Sequence, residues 1–177
     1  MNRGQMWIDR LQMQRHPEGG WYREVCRSAE TIPGSALPSR FGGDRSFYTV
    51  IYFLLQGDDV SALHRIRQDE VWHFHDGSPL TVHSVDGSGK RQDYRLGRDF
   101  ESGQHLVVVV PAGVWFGARG EEADSFSLVS CTVAPGFDFA DFEMGDRDTL
   151  VQQFPGQRSL IERLTRQGPL ASGESTG

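Results

Sequence analysis

The chain is expected to be an all-β protein whose strands close into a sandwich or barrel, and three observations predict this. From Ser46 onward, β-branched and aromatic runs follow one another: "SFYTVIYFLLQ", "VSALHRIR", "EVWHFH", "PLTVHSVD", "RQDYRLG", "HLVVVVPAG", "VWFGAR" and "SFSLVSCTVA". Each is short and bounded by Gly, Asp or Pro, the spacing expected of strands joined by tight turns. The 21 Gly and 8 Pro supply those turns, and 11 Phe, 4 Trp and 4 Tyr within a 37% hydrophobic composition predict an aromatic, β-branched core.

The elements follow in order. Trp7, Ile8, Leu11 and Arg15 fall on one helical face, which predicts a short docking helix over residues 5–15. "HPEGG" breaks it as a turn, and "WYREVCRS" reads as a strand. Residues 29–44, rich in Gly, Pro and Ser, read as a long exposed loop, a lid or an interface arm. "VDGSGK" carries the Asp-Gly signal of a hairpin between two strands. "PGFDFADFEMG" reads as an acidic, aromatic edge strand, suited to a dimer seam or a pocket rim. "DRDTLVQQFPGQRSLIERLTRQ" predicts two short helices with Asp146 or Asp148 as a cap and a Pro-Gly break between them. One domain over residues 1–168 and a disordered tail over 169–177 complete the expectation.

With 24 acidic against 18 basic residues, the net charge of −6 argues against a general nucleic-acid binder. Two Cys, Cys26 and Cys131, form no CxxC and no disulfide framework, so free thiols are expected. No apolar signal segment opens the chain and no stretch reaches the length of a membrane span. A cytoplasmic protein without membrane or nucleic-acid partners is the expectation.

The densest chemistry lies in "DEVWHFHDG". Strand alternation puts Glu70, Trp72 and Phe74 on one face and Val71, His73 and His75 on the other. If the aromatic face points inward, Glu70 is an interior carboxylate, and His64, on the preceding strand, is an interior imidazole beside it. His73 and His75 then lie on the outer layer. Tyr52, Trp72 and Phe116 are candidate substrate-binding residues lining the same pocket.

"ALHRIRQDEVWHFHDG" resembles the first motif of the cupin superfamily: Ala62 stands at its first His, His64 at its second, Glu70 at its acid and Gly77 at its closing Gly. "GQHLVVVVPAGVWF" resembles the second motif through Gly103, Pro111 and Gly113, with Phe116 in place of its His. "HPEGGWYREV", "RSFYTVIYFLL", "LHRIRQDEVWHFHDGSPL", "VPAGVWFGAR" and "CTVAPGFDFADFEMG" together, in order, resemble the cupin-5 family. That resemblance implies a double-stranded β-helix, or jelly-roll, barrel with a short N-terminal helix and short C-terminal helices, and a homodimer. The family is similar to dTDP-dehydrorhamnose epimerases. "SALHRI" resembles their segment with the catalytic base, at His64, whereas "SLVSCTVAP" has no Tyr where they carry an acid.

The leading functional expectation is a metal-independent isomerase or epimerase acting on a small polar, carbohydrate-like molecule, with His64 as base and Glu70 orienting it. A non-catalytic small-molecule binding protein and a metal-dependent oxygenase or lyase are the alternatives. No cofactor is expected; a divalent metal at His64 and Glu70 would have two protein ligands where such ions want three or four.

Overall fold

The structure, a computed structural model, describes residues 3–165, so the tail expected over 169–177 lies outside the described residues. Helix α1 spans Arg3–Arg10 and is shorter than its apolar pattern predicts. Gln12 adopts a left-handed φ of 51° and closes the helix, after which Gln14–Arg15 is already a strand, β1. Ile8 anchors α1 against Leu54, Phe126 and Leu128 on the outside of a sheet.

The remaining strands are β2 (Trp21–Arg27), β3 (Thr31–Ile32), β4 (Arg45–Ser46), β5 (Thr49–Gln56), β6 (Val60–Arg65), β7 (Asp69–Gly77), β8 (Leu80–Val85), β9 (Arg91–Leu96), β10 (Val107–Val110), β11 (Trp115–Gly120), β12 (Phe126–Ala134) and β13 (Glu143–Met144). They form a six-stranded sheet, β1-β2-β5-β12-β7-β10, facing a five-stranded sheet, β13-β6-β11-β8-β9, with β3 and β4 paired separately. The paired strands run antiparallel, and the arrangement is the expected jelly roll. Phe53, Trp72, Val82, Phe116 and Val129 interdigitate between the sheets.

Alternation along β7 decides what reaches that interior. Glu70, Trp72 and Phe74 are buried, while Val71 and His73 are half-buried and His75 is exposed on the outer face. β6 is buried on both faces, because α2 (Arg147–Gln153) and α3 (Arg158–Arg163) cover its outer side, packing Leu150, Leu160 and Ile161 on Leu63. Of the two capping candidates, Asp146 caps α2 by accepting from the Thr149 amide.

Two expected segments differ from the structure. The stretch 29–44 is not a bare loop: β3 pairs with β4, a 3₁₀ turn covers Gly34–Ala36, and Phe41 is 6% exposed. "PGFDFADFEMG" is not one extended edge strand, because Asp138 accepts from the Ala140 amide and starts a 3₁₀ turn at Phe139–Asp141. The turn points Asp141 at Arg45, which grips it with Nε and Nη2, each at 2.7 Å. Among the described residues, no helix is long and apolar enough to cross a membrane.

Candidate functional site

His64 lies in the middle of its sheet, opposite Phe116 on β11 and Met144 on β13. Its ring is almost wholly buried, 4.2 Å from the Phe116 ring and stacked 5.3 Å from Phe142. Nδ1 lies 2.8 Å from the Ala62 carbonyl. A carbonyl only accepts, so Nδ1 carries the hydrogen and a neutral ring leaves Nε2 as the lone-pair nitrogen. Burial pushes the His64 pKa down to about 4, against the Ala62 bond, which raises it.

The group facing Nε2 is Glu18, whose Oε2 is 3.2 Å away. It comes from the "HPEGG" turn, which closes through Gly19 N–H to the His16 carbonyl at 3.0 Å and His16 N–H to the Gly20 carbonyl at 3.2 Å. Gly20 has φ +70°, and a Cβ there would meet the Leu54 carbonyl at 2.9 Å. The turn docks on β6: the Ala62 amide donates to the Glu18 carbonyl and the Ser61 hydroxyl to Glu18 Oε1, both at 2.8 Å. His16 Nδ1 lies 3.4 Å from Glu18 Oε2 on the other side. Burial lowers the His16 pKa, Glu18 opposes that shift, and the nearby His64 adds to it.

Glu70, on the inner face of β7, bonds the Cys131 side chain across the sheet. Burial, and the charge of Glu18, push its pKa up to about 8, with the Cys131 bond opposing. Burial and Glu70 push the Cys131 thiol up in turn. The barrel thus holds an imidazole that stays neutral and a carboxylic acid that stays protonated near pH 7, two environments that separate a base from an acid.

These groups share one cavity of about 330 Å³, walled by Tyr22, Ile51, Phe53 and Ile66 and by Phe137, Phe139 and Phe142 of the 3₁₀ segment. His64 and Glu70 both line this cavity, but not as neighbours on adjacent strands: β6 and β7 belong to the two opposed sheets, and the carboxylate beside the imidazole is Glu18, not Glu70. Phe116 lies under His64 as packing, and Trp72 is core, set edge-on to Phe53 and Phe116; neither is among the cavity-lining residues. Tyr52 is on the opposite face of β5, packed with the α1 cluster and 5.9 Å from His75. His75 bonds the Ser130 hydroxyl at 2.9 Å on that outer layer.

The divalent metal considered at His64 and Glu70 does not fit these donors. Ala62 and Phe116 fill two motif positions with apolar side chains, Nε2 of His64 faces Glu18, and Glu70 is engaged with Cys131. Among the described residues, no three His, Cys, Asp or Glu side chains are arranged to hold an ion. His16 and Glu18 are the residues that reading strands alone misses. The available signal was an imidazole and a carboxylate two residues apart in a turn that already had its glycines.

A family profile described as "Cupin superfamily (DUF985)", Cupin_5, matches residues 5–145. Uncharacterized protein YML079W of Saccharomyces cerevisiae is 30% identical over 145 residues, which is 77% of this chain and 72% of the yeast protein. The crystal structure of protein SO0799 from Shewanella oneidensis superposes with a TM-score of 0.84 at 35% identity, over 95% of this chain and 99% of that one. A hypothetical protein from Leishmania major gives 0.82 at 35% identity, over 92% and 98%. Oxalate decarboxylase from Bacillus subtilis gives 0.51 at 14% identity over 92% of this chain and 42% of its own, a likeness of fold alone.

Proposed function

The chain belongs to the cupin-5 family, and from that premise we propose that its barrel cavity carries out a metal-independent isomerisation or epimerisation of a small polar carbonyl compound, carbohydrate-like in size. The observation that carries this reading is His64, neutral and buried, with Nε2 turned to Glu18 at 3.2 Å inside a cavity that Glu70 also lines. His64 Nε2 removes a proton from the carbon next to the carbonyl. The imidazolium so formed meets the Glu18 carboxylate, which converts an acceptor–acceptor approach into a charge-assisted hydrogen bond. Protonated Glu70 donates to the carbonyl oxygen as negative charge develops there. Returning the proton to the neighbouring carbon, while Glu70 takes back a proton from the hydroxyl on the first carbon, moves the carbonyl and isomerises the molecule; inverting the same carbon requires the intermediate to turn over in the cavity before His64 returns the proton. General-base catalysis of this kind contributes about 10²–10⁴-fold.

A second reading, a binding protein without turnover, is favoured by the aromatic wall of Phe137, Phe139 and Phe142. Incubation with a panel of small aldoses, ketoses and keto acids in deuterium oxide separates the two. Deuterium entering the carbon beside the carbonyl with wild type, and not with a folded His64→Asn variant, is the expected result. Binding without exchange supports the second reading, and equal exchange in both proteins removes His64 from the chemistry.

A further inference from the structure

Outside the barrel, a surface groove of about 870 Å³ runs beside the 3₁₀ segment, lined by Ser39, Arg40, Arg65 and Arg67 together with Asp141 and Glu143. Ile66 and Phe142 line both this groove and the interior cavity, so a wall one side chain thick divides them. Its charges do not cancel. Glu143 is spent on Arg65 at 2.7 Å, whose guanidinium also lies 4.5 Å over the Trp115 ring. Asp141 is spent on Arg45 through two bonds of 2.7 Å and on Gln68, leaving only a 3.8 Å approach to Arg67 Nε. Burial alone would raise the Asp141 pKa, but the Arg45 and Gln68 bonds and the charge of Arg67 hold it low and ionised.

Arg40 and Arg67 are clasped through each other's main chain. Arg40 Nε donates to the Arg67 carbonyl at 2.9 Å, and Arg67 Nη1 donates to the Arg40 carbonyl. Both side chains line the one groove, and among the described residues no hydrogen bond is made by either Nη group of Arg40 or by Nη2 of Arg67. The Ser39 hydroxyl adds a donor on the same side. The segment is fixed in place: Phe41 is buried, donates from its amide to the Pro38 carbonyl at 3.0 Å, and lies under the Arg40 guanidinium at 4.7 Å. Of the two, Arg67 keeps the 3.8 Å ion pair with Asp141, whereas Arg40 has no carboxylate within ion-pair distance among the described residues.

We propose that this groove is an oxyanion-binding site that takes a phosphate group between Arg40 and Arg67, with Ser39 as a further donor. Planar, many-donor guanidiniums suit a tetrahedral dianion, and two together overcome their mutual repulsion when it arrives. The groove is larger than phosphate needs, so the anion arrives either free or carried on an organic molecule.

Calorimetric titration of the whole chain with inorganic phosphate and with ribose 5-phosphate tests this, using wild type, Arg40→Ala, Arg67→Ala, and Arg10→Ala as a charge-matched control. Saturable binding that weakens by about tenfold or more in each groove variant, and not in the control, is the expected result. Tighter binding of ribose 5-phosphate than of phosphate assigns the groove to a phosphorylated molecule; equal binding assigns it to the free anion. Phosphate binding that persists in His64→Asn keeps this site distinct from the cavity chemistry. No saturable binding, or binding indifferent to both groove arginines while the variants melt like wild type, overturns the proposal.

Discussion

His64 and Glu70 invert the usual order of their ionisations, and each carries a signed consequence for stability. The folded-state pKa of Glu70, about 8, lies above its ordinary 4.5. Its contribution is therefore fully present below about pH 4.5 and is lost as the pH rises through 8. His64 falls from 6.5 to about 4, so its contribution is present above 6.5 and is lost as the pH falls through 4. Glu70→Gln, which keeps the shape and cannot ionise, is predicted to raise the melting temperature at pH 8.5 while changing it little at pH 4.5, with each kcal/mol worth about 2–4 °C. An equal shift at both pH values in thermal melts would place Glu70 in a solvated setting. On the proposed chemistry, turnover needs neutral His64 and protonated Glu70. The rate should then fall below about pH 4 and above about pH 8.

At the scale of elements, the site depends on a turn docked on a strand. Gly20 is at φ +70° with the Leu54 carbonyl close behind it, so Gly20→Ala is predicted to cost about 1–3 kcal/mol and to move Glu18 off Ser61. Denaturant melts read the first effect, and the second appears as loss of the His64–Glu18 contact in a crystal structure of the variant; an unchanged melt and contact would contradict both. The same elements show what the sequence makes legible. Period-two alternation placed Glu70, Trp72 and Phe74 inward and His73 and His75 outward, because one buried face forces that choice. Alternation does not report which loop folds over a strand, so Glu18 stayed hidden behind the glycines of its turn. Nor does it report a break in period: the Asp138 cap turned an expected strand into the aromatic wall of the cavity. Tyr52 was misplaced for a simpler reason, since a strand with bulky residues on both faces gives alternation no contrast.

Across the whole molecule, the two ends of the six-stranded sheet are unequal. β10 closes one end with Val107 and Val109 about half exposed, and β1 covers β2 only at Trp21 and Tyr22, leaving the rest of that edge open beside exposed Val25, Phe47 and Tyr48. Open apolar edges are where copies of a chain pair, and we propose a homodimer through the β2 end. Light scattering is predicted to give twice the 19.9 kDa chain mass, and Val25→Lys to reduce it to one. A monomeric wild type would contradict this, as would a dimer indifferent to that change.

All of the proposed chemistry requires that the barrel hold His64 as a neutral imidazole with its hydrogen on Nδ1. Nitrogen-15 NMR of the ring over a pH titration measures this directly. A single Nδ1–H tautomer at pH 6 is expected, with no protonation until the pH approaches about 4. An imidazole that titrates near 6.5, as a solvent-exposed histidine does, or that carries its hydrogen on Nε2, would contradict it.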